Sequence, residues 1–459
     1  MSGLEASVGK MRRDDVGDAA VEAFADAYRR LEEGETGVLP EDAIEPVDDL
    51  PAAGDLPDTG PEAGGAIDHA VVIKLNGGLG TSMGMTGPKS LVEVKDGLTF
   101  LDIIVRQVLE LRERTGARLP LVLMNSFSTR DASLEALGRY DDLEADVPLD
   151  FLQNKVPKLL ADDLEPAEWP DDPALEWAPP GHGDLYTALV TSGLLDELLE
   201  RDYRYAFVSN ADNLGAVLEP RILAWIAGEG IPFAMEVADR TEADRKGGHI
   251  ARRRDGSGLV LREIAQTPDE DVDAFQDVSR HRYFNTNTLW VDLEALDALL
   301  RERDGVLGLP MIVNEKTVDP SDKSSPAVYQ LETAMGAAIG VFDGAQAIRV
   351  PRARFVPVKK TSDLLVLRSD AYDLGTDFVL DQVAPQLPFV DLDEVYKVVE
   401  EFDKRFPAGV PSLKEAESLV VSGDWSFGKG VQVKGSAKLE GAHGRVEAGA
   451  VLGEGTTSE

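Results

Sequence analysis

The glycine-rich segment around residue 77 is the feature that most restricts how this chain can fold. A short apolar run at residues 71–75 ends abruptly in Asn76-Gly77-Gly78-Leu79-Gly80, and Gly87-Pro88-Lys89 follows within reach. Glycine lacks Cβ, so the backbone can turn sharply and its N–H groups can approach a ligand closely. The pattern predicts a β-strand whose carboxyl end carries a loop for a phosphate or a nucleotide.

The loop does not match the two commonest phosphate-binding patterns. A Walker A loop needs glycine directly before the lysine, and here Pro88 separates Gly87 from Lys89. A dinucleotide fingerprint needs its third glycine at the position of Met83, whereas Gly84 comes one residue late. The local pattern therefore leaves the type of ligand open. A tight turn without a ligand is the alternative, which four glycines and a following lysine disfavour.

The composition excludes several classes of protein. The chain has 459 residues, of which 43% are hydrophobic, so we expect two or three domains. Acidic residues outnumber basic ones by 84 to 46, which argues against general nucleic-acid binding and suits a soluble protein. The absence of cysteine excludes disulfides, iron–sulfur clusters and a cysteine nucleophile. No apolar run has transmembrane length and no signal peptide is recognisable, so we expect a cytoplasmic protein that does not bind membranes.

The order of patterns along the chain predicts three domains. Residues 1–65 combine a helix at 16–33 with an acidic, proline-rich linker that is extended and partly mobile. Residues 66–380 alternate strand-like runs with helical patterns, which predicts a mostly parallel sheet flanked by helices. Ligands on such sheets lie at the carboxyl ends of the strands, and polar residues follow several of these runs. This middle segment is therefore the predicted catalytic domain.

Residues 381–459 form the third predicted domain, with a connector helix followed by a β-helix. Val421, Phe427, Val433 and Leu439 recur every six residues, with glycines in step. A six-residue apolar period is typical of β-helix coils. A small irregular β-meander is the alternative.

Three polar residues occupy positions suited to chemistry. Asp212 follows the apolar run at residues 205–208, where a carboxylate could hold Mg²⁺ against phosphate oxygens or simply cap the next turn. His182 lies between two glycines at the start of a predicted helix, which suits anion binding or a structural turn equally. Lys359 ends a strand-like run and could neutralise phosphate charge, although lysines usually lie on solvated surfaces. Two further polar clusters lie at residues 246–248 and 284–288, where Lys and Asn side chains could bind sugar hydroxyls. Turn formation would explain these residues equally well.

Taken together, these segments closely resemble the eukaryotic-type UDP-glucose pyrophosphorylase family, the UTP–glucose-1-phosphate uridylyltransferases. The match covers nearly the whole chain and lies in these ordered segments: 74–83, 87–91, 123–127, 180–184, 208–215, 246–248, 263–266, 284–287, 330–334, 356–359, 421–424 and 427–431. The resemblance implies an α/β, Rossmann-like nucleotidyltransferase fold of the GT-A-like type. It also implies a mixed, mostly parallel sheet flanked by helices, and a C-terminal left-handed β-helix.

The resemblance also carries functional roles onto matching residues. It implies Lys359 and Lys89 as catalytic lysines and Asp212 as the ligand of a Mg²⁺ cofactor. The implied nucleotide-binding residues are Leu75, Asn76, Gly77, Gly78, Lys89, Gln153, Gly181, Asn210, Ala211, Asp212 and Lys359. The implied sugar-phosphate-binding residues are Gly77, Gly78, His182, Asn210, Lys246, Glu263 and Asn287.

The activity implied by the resemblance is reversible transfer of the uridylyl group of UTP to glucose 1-phosphate. The nucleophile is already an ionised phosphate, so Mg²⁺-assisted in-line attack needs no general base. One alternative is a pyrophosphorylase for N-acetylglucosamine 1-phosphate or for several sugar phosphates. Another is a catalytically silent sensor of nucleotide sugars, and a kinase or NTP hydrolase is disfavoured by the missing Walker A loop. The C-terminal domain is the expected surface for any self-association.

Overall fold

The computed structural model describes residues 2–58 and 63–454. At its centre lies a ten-stranded mixed sheet with the neighbour order β1-β7-β9-β5-β2-β3-β4. In addition, β6 pairs with β9, β10 pairs with β6, and β8 pairs with β7. The strands are β1 (Ile44–Pro46), β2 (Ala70–Asn76), β3 (Leu121–Asn125), β4 (Asp150–Leu152), β5 (Tyr205–Asn210), β6 (Phe233–Asp239), β7 (His249–Arg253), β8 (Leu259–Arg262), β9 (Tyr283–Asp292) and β10 (Gln346–Arg349).

The direction of the strands confirms the predicted mixed and largely parallel sheet. Strands β5, β2, β3 and β4 pair in parallel, and so do β6 and β10. Strand β9 runs against β5, β6 and β7, and β1 and β8 run against β7. The parallel half of the sheet therefore brings the carboxyl ends of β2, β3 and β5 to one edge.

Helices cover both faces of this sheet, which explains why β2 is apolar on both sides. Val72 joins the core on one face, whereas Val71 and Ile73 join the core on the other. The helices are α1 (Gly3–Arg13), α2 (Asp18–Glu32), α3 (Phe100–Thr115), α4 (Arg130–Leu137), α5 (Leu185–Thr191), α6 (Leu194–Glu200), α7 (Pro220–Glu229), α8 (Val272–Gln276), α9 (Leu293–Glu302), α10 (Thr361–Arg368) and α11 (Val399–Arg405).

Helix α3 shows how local sequence sets these boundaries. Thr99 and Asp102 form a reciprocal capping box, with the Asp102 N–H donating to Thr99 Oγ1 at 3.1 Å and the Thr99 N–H donating to Asp102 Oδ2 at 2.9 Å. Gly116 ends the helix in the left-handed conformation at φ 71°. Among the described residues, no helix combines the length and the apolar character needed to cross a bilayer.

The N-terminal region packs closely on the rest of the molecule. Helix α2 lies within the predicted helix at 16–33, and α1 precedes it where the sequence analysis named no element. Strand β1 falls inside the predicted linker and pairs with β7 along one side of the sheet. Pro61 of that linker lies outside the described residues, and the domain boundary at residue 65 stays a prediction.

Small antiparallel sheets complete the middle of the chain. The largest joins Leu159–Leu160, Met311–Thr317 and Ala327–Thr333. Its central strand, Ala327–Thr333, borders the site described below. The others are two-stranded pairs: Glu93–Lys95 with Leu98–Thr99, Val156–Pro157 with Trp177–Ala178, and Tyr372–Leu374 with Leu380–Gln382.

The C-terminal strands form a separate, wholly parallel sheet. Its strands are β11 (Phe389–Leu392), β12 (Ser412–Phe427), β13 (Gln432–Val446) and β14 (Val451–Leu452), paired in that order. Consecutive strands of a β-meander run antiparallel, so this pairing excludes the meander alternative. Helix α11 lies where the connector helix was predicted.

Candidate active site

A cleft of about 370 Å³ opens at the carboxyl ends of β2, β3 and β5. It brings together eleven of the residues that the sequence analysis singled out: Leu75, Asn76, Gly77, Gly78, Lys89, Gln153, Gly181, His182, Asn210, Ala211 and Asp212. Four further residues line it that were not predicted: Ser90, Met124, Pro179 and Glu332. This is the position at which open α/β sheets bind their ligands.

Backbone contacts fix the glycine loop against its neighbours in the cleft. The Ala211 N–H donates to the Leu75 carbonyl at 3.0 Å, and the Lys89 N–H donates to the Gly78 carbonyl at 3.2 Å. At Gly77, a Cβ atom would lie 2.7 Å from Gln153 Oε1, so a side chain at this position would displace the glutamine. A residue larger than glycine here would therefore fit only if the Gln153 side chain moved away.

Lys89 and Asp212 form an ion pair across the cleft. The Lys89 Nζ donates to Asp212 Oδ2 at 2.6 Å, and both side chains stay partly open to the cleft. No group of three or more His, Asp or Glu side chains suited to a metal occurs in residues 2–58 and 63–454. Mg²⁺ is usually held by one or two carboxylates together with substrate phosphates and water. Asp212 therefore fits an ion that binds together with a nucleotide.

His182 enters the cleft as a hydrogen-bond donor. Its Nδ1 accepts a hydrogen bond from the Met335 N–H at 2.9 Å, so the proton of the neutral ring lies on Nε2. The side chain keeps surface open to the cleft, yet its depth in the protein desolvates the ring and lowers its pKa. The ring is therefore neutral at pH 7 and can donate one hydrogen bond.

The turn that carries His182 has no room for other residues at its glycines. Gly181 has φ 79°, and a Cβ there would lie 2.5 Å from the Thr333 carbonyl oxygen. Glu332 precedes Thr333 and lines the cleft from the same strand, where burial raises its pKa. The strand Ala327–Thr333 thus forms the far wall of the cleft.

Four predicted residues lie outside the set that lines the cleft. Lys359 is exposed, but the N–H of the preceding Val358 donates to the Asp212 carbonyl at 3.3 Å, which places Lys359 beside the cleft. Burial raises the pKa of Glu263, and the positive charge of Lys359 opposes this rise, so these two side chains lie within electrostatic reach of each other.

Lys246 and Asn287 lie on two segments that meet at Gly248, where the Asn285 N–H donates to the Gly248 carbonyl at 2.9 Å. Lys246 is exposed on a turn whose Gly248 is so close to Glu263 that a Cβ would lie 2.5 Å from the carboxylate oxygens. Asn287 has φ 55°, and its Oδ1 accepts from Asn285 Nδ2 at 2.8 Å. Neither Lys246 nor Asn287 is among the residues that line the cleft.

Buried charges beneath the glycine loop were missed by the sequence analysis. The Lys74 Nζ donates to Ser209 Oγ and to the Ala216 carbonyl, each at 2.7 Å, and thereby joins β2, β5 and the loop after Asp212. Burial lowers the pKa of Lys74 to about 7, and the nearby Arg354 charge adds to this effect. The sequence signal was a lysine inside an otherwise apolar strand.

The fold and the placement of the cleft define an α/β protein whose site lies at the carboxyl ends of its parallel strands. A family model described as UTP–glucose-1-phosphate uridylyltransferase matches residues 21–434. The chain belongs to this family, as its resemblance predicted.

Individual relatives agree with this assignment over most of their length. The chain is 42% identical to a UTP–glucose-1-phosphate uridylyltransferase of Hordeum vulgare over 393 residues, which cover 84% of this chain and 81% of the relative. It is also 42% identical to one from Solanum tuberosum over 412 residues, covering 89% and 82%. A UDP-glucose pyrophosphorylase variant from Leishmania major, solved in complex with UDP-glucose, is 46% identical with a TM-score of 0.92, covering 100% of this chain and 99% of that one.

Proposed function

We propose that this chain transfers the uridylyl group of UTP to glucose 1-phosphate, giving UDP-glucose and pyrophosphate reversibly. The observation that carries this proposal is the cleft in which the Lys89–Asp212 pair faces the glycine loop, in a chain that belongs to the uridylyltransferase family over most of its length. The relatives are named for this activity, and the Leishmania major protein was solved with UDP-glucose.

The nucleotide side of the proposed site is built from the loop and the two walls of the cleft. The backbone of Leu75, Asn76, Gly77 and Gly78 would cradle the UTP phosphates, because N–H groups in a glycine turn bind anions. Gln153 and Gly181 would contact the uracil, and Lys89 would contact the phosphates. Asn210, Ala211 and Asp212 complete this half of the cleft.

The sugar-phosphate side begins at His182 and extends toward Glu263. The neutral His182 ring would donate its Nε2–H to glucose 1-phosphate, with Gly77, Gly78 and Asn210 nearby. Glu263, Lys246 and Asn287 would contact sugar hydroxyls, since carboxylate, amine and amide groups all form hydrogen bonds with hydroxyls. The closeness of Gly248 to Glu263 supports grouping these residues.

The reaction would proceed by alignment and charge neutralisation. A phosphate oxygen of glucose 1-phosphate attacks the α-phosphorus of UTP in line, a new P–O bond forms, and the bond to the β-phosphate breaks so that pyrophosphate leaves. Lys89 would hold the leaving pyrophosphate, and Lys359 would offset charge between the reacting phosphates. Mg²⁺ bound to Asp212 would supply further neutralisation of the phosphate oxygens.

The proposal also covers the C-terminal domain and the cellular compartment. The parallel C-terminal strands would be coils of a left-handed β-helix. The pairing of Leu419 with Ala437, which lies three six-residue repeats further along the chain, supports this part of the proposal. The chain would self-associate through this domain, which begins at residue 381. The enzyme would act in the cytoplasm.

The test measures pyrophosphate release from UTP with glucose 1-phosphate, N-acetylglucosamine 1-phosphate and galactose 1-phosphate. We expect glucose 1-phosphate to give the highest kcat/KM, and chelation of divalent cations to abolish turnover until Mg²⁺ is restored. No pyrophosphate release with any of these sugars would refute the proposal, and a preference for another sugar would correct the substrate.

Variants of two neighbouring lysines test the catalytic assignment. Lys359→Ala should lower kcat by about 100- to 1000-fold, the usual cost of losing one donor to a transition-state charge, and leave thermal unfolding unchanged. Lys360→Ala is the matched control, because Lys360 is exposed and lies next in the chain. Equal turnover of the two variants would remove Lys359 from the catalytic role.

A further inference from the structure

Asp184 is a buried carboxylate that the proposed mechanism does not use. It is 5% exposed and directly follows Gly183, at the start of α5. Both of its oxygens accept hydrogen bonds from one residue: the Asn154 N–H donates to Oδ2 at 2.6 Å, and Asn154 Nδ2 donates to Oδ1 at 2.9 Å. The Asn154 Oδ1 in turn accepts from Thr191 Oγ1 at 3.2 Å. Asp184, Asn154 and Thr191 thus form one hydrogen-bonded network.

These bonds connect the two walls of the cleft. On one wall, Gln153 precedes Asn154, and its N–H donates to the Asn125 carbonyl at the end of β3 at 2.8 Å. On the other wall, Asp184 continues the turn that contains Gly181. The Gly183 backbone packs tightly against the strand Ala327–Thr333, because a Cβ at this position would lie 2.3 Å from Thr333 Oγ1. The Asp184–Asn154 contact therefore links the segment that carries Gln153 to the turn that carries Gly181.

The hydrogen bonds match the ionised form of Asp184. Burial raises its pKa to about 7, and the two bonds from Asn154 oppose that rise. The hydroxyl oxygen of a protonated carboxyl is a weaker acceptor than a carboxylate oxygen, so protonation would weaken one of the bonds from Asn154. Other titratable groups near this network are His182 on the same turn, Glu332, which lines the same small cavity, and Lys155 next to Asn154, which pairs with Asp14. Helix α2 contributes only alanines and a phenylalanine to that cavity.

We propose that Asp184 is a positioning residue that holds Gln153 and Gly181 at the separation uracil requires, and so determines which base the enzyme accepts. This inference rests on the proposed function, because it takes these two residues as the contacts to the base. Hydrogen-bond readout of a base edge discriminates strongly only when the reading groups are fixed in place.

The first test replaces Asp184 by alanine and measures pyrophosphate release at pH 8. The KM for UTP should rise about 10-fold or more, with kcat and the KM for glucose 1-phosphate changed less than about 3-fold. The preference for UTP over CTP, as a ratio of kcat/KM, should fall by about 10-fold. Asp102→Ala is the matched control, because Asp102 is a buried cap of α3 outside the cleft, and its base preference should match that of the wild type.

The second test uses Asp184→Asn, which keeps the shape but cannot ionise. Its amide oxygen can accept from the Asn154 N–H, and its amide nitrogen can donate to Asn154 Oδ1 once that side chain rotates and Thr191 becomes the acceptor. This variant should recover most of the affinity and base preference that alanine loses. In the wild type, the KM for UTP should rise as pH falls from 8 to 6, and it should rise less in Asp184→Asn.

The outcomes separate this inference from the proposed function. A folded Asp184→Ala enzyme with unchanged UTP affinity and base preference would overturn the inference while leaving the activity intact. If Asp184→Ala does not fold, identical pH profiles of the wild type and Asp184→Asn would overturn it instead. If the wild type releases no pyrophosphate, the function fails, and calorimetric binding of UTP and CTP to the wild type and Asp184→Ala still measures base selection directly.

Discussion

We expect the free energy of unfolding to rise by about 2 kcal/mol between pH 7 and pH 9 through Lys74 alone. The folded protein lowers the pKa of this buried amine from 10.5 to about 7. The unfolded chain therefore binds the proton more tightly than the folded one between these two pKa values, so stability increases as pH rises through that window. Over the whole range between the folded and unfolded pKa values, the free energy of unfolding changes by about 5 kcal/mol, and somewhat less than half of this change falls between pH 7 and pH 9.

Lys74→Met isolates this contribution, because methionine fills similar space without an ionisable group. Urea unfolding of both proteins is followed by tryptophan fluorescence at pH 7, 8 and 9. Between pH 7 and pH 9, the increase in the free energy of unfolding should be smaller in the variant than in the wild type by about 2 kcal/mol. Lys414→Met, at an exposed position of β12, is the matched control and should behave like the wild type. Equal pH dependence of the wild type and Lys74→Met would refute the reasoning.

Three further predictions test other parts of the molecule. Gly77→Ala should raise the KM for UTP by about 10-fold, because its methyl group would meet Gln153 Oε1; an unchanged KM in steady-state kinetics would contradict this. Glu236→Gln removes the buried carboxylate that Arg354 contacts twice at 2.7 Å, and should lower the free energy of unfolding in urea by about 3–5 kcal/mol; a loss below about 1 kcal/mol would refute it. Burial lowers the pKa of His249 below its usual 6.5, so the folded state disfavours the protonated ring and stability is lost as pH falls below 6.5. His249→Phe should therefore show a smaller drop in thermal midpoint than the wild type between pH 7 and pH 5. An equal drop in both proteins would show that His249 does not cause the loss of stability.

The parts of the cleft that follow strand ends were predictable from local sequence. The glycine loop and Asp212 each follow an apolar run, Lys89 follows the glycine loop, and the parallel order of β2, β3 and β5 brings these strand ends together. Glu332 was not predictable in this way, because it reaches the cleft from a small antiparallel sheet whose position depends on tertiary packing. The pairing of Lys89 with Asp212 is likewise a contact that no local pattern encodes.

Two other features depended on contacts between distant segments. The proline-rich composition of residues 40–65 predicted an extended linker, whereas β1 pairs there with β7, a partner about 200 residues further along the chain. The network around Lys74 joins β2 with β5 and with the loop after Asp212, which lie more than 100 residues further along the chain. Apolar periodicity predicts which residues are buried but does not show which polar groups are buried with them.

The order of strands in the central sheet has a consequence for how the protein folds. Strand β2 pairs with β5 and β1 pairs with β7, so most ladders join segments far apart in sequence. Closing such long loops costs entropy before the contacts that stabilise them can form, which slows folding. Because the cleft takes residues from Leu75 through Glu332, it is complete only after most of the chain has been synthesised and its ladders have formed. After dilution from denaturant, recovery of substrate binding should therefore lag behind recovery of helical circular dichroism.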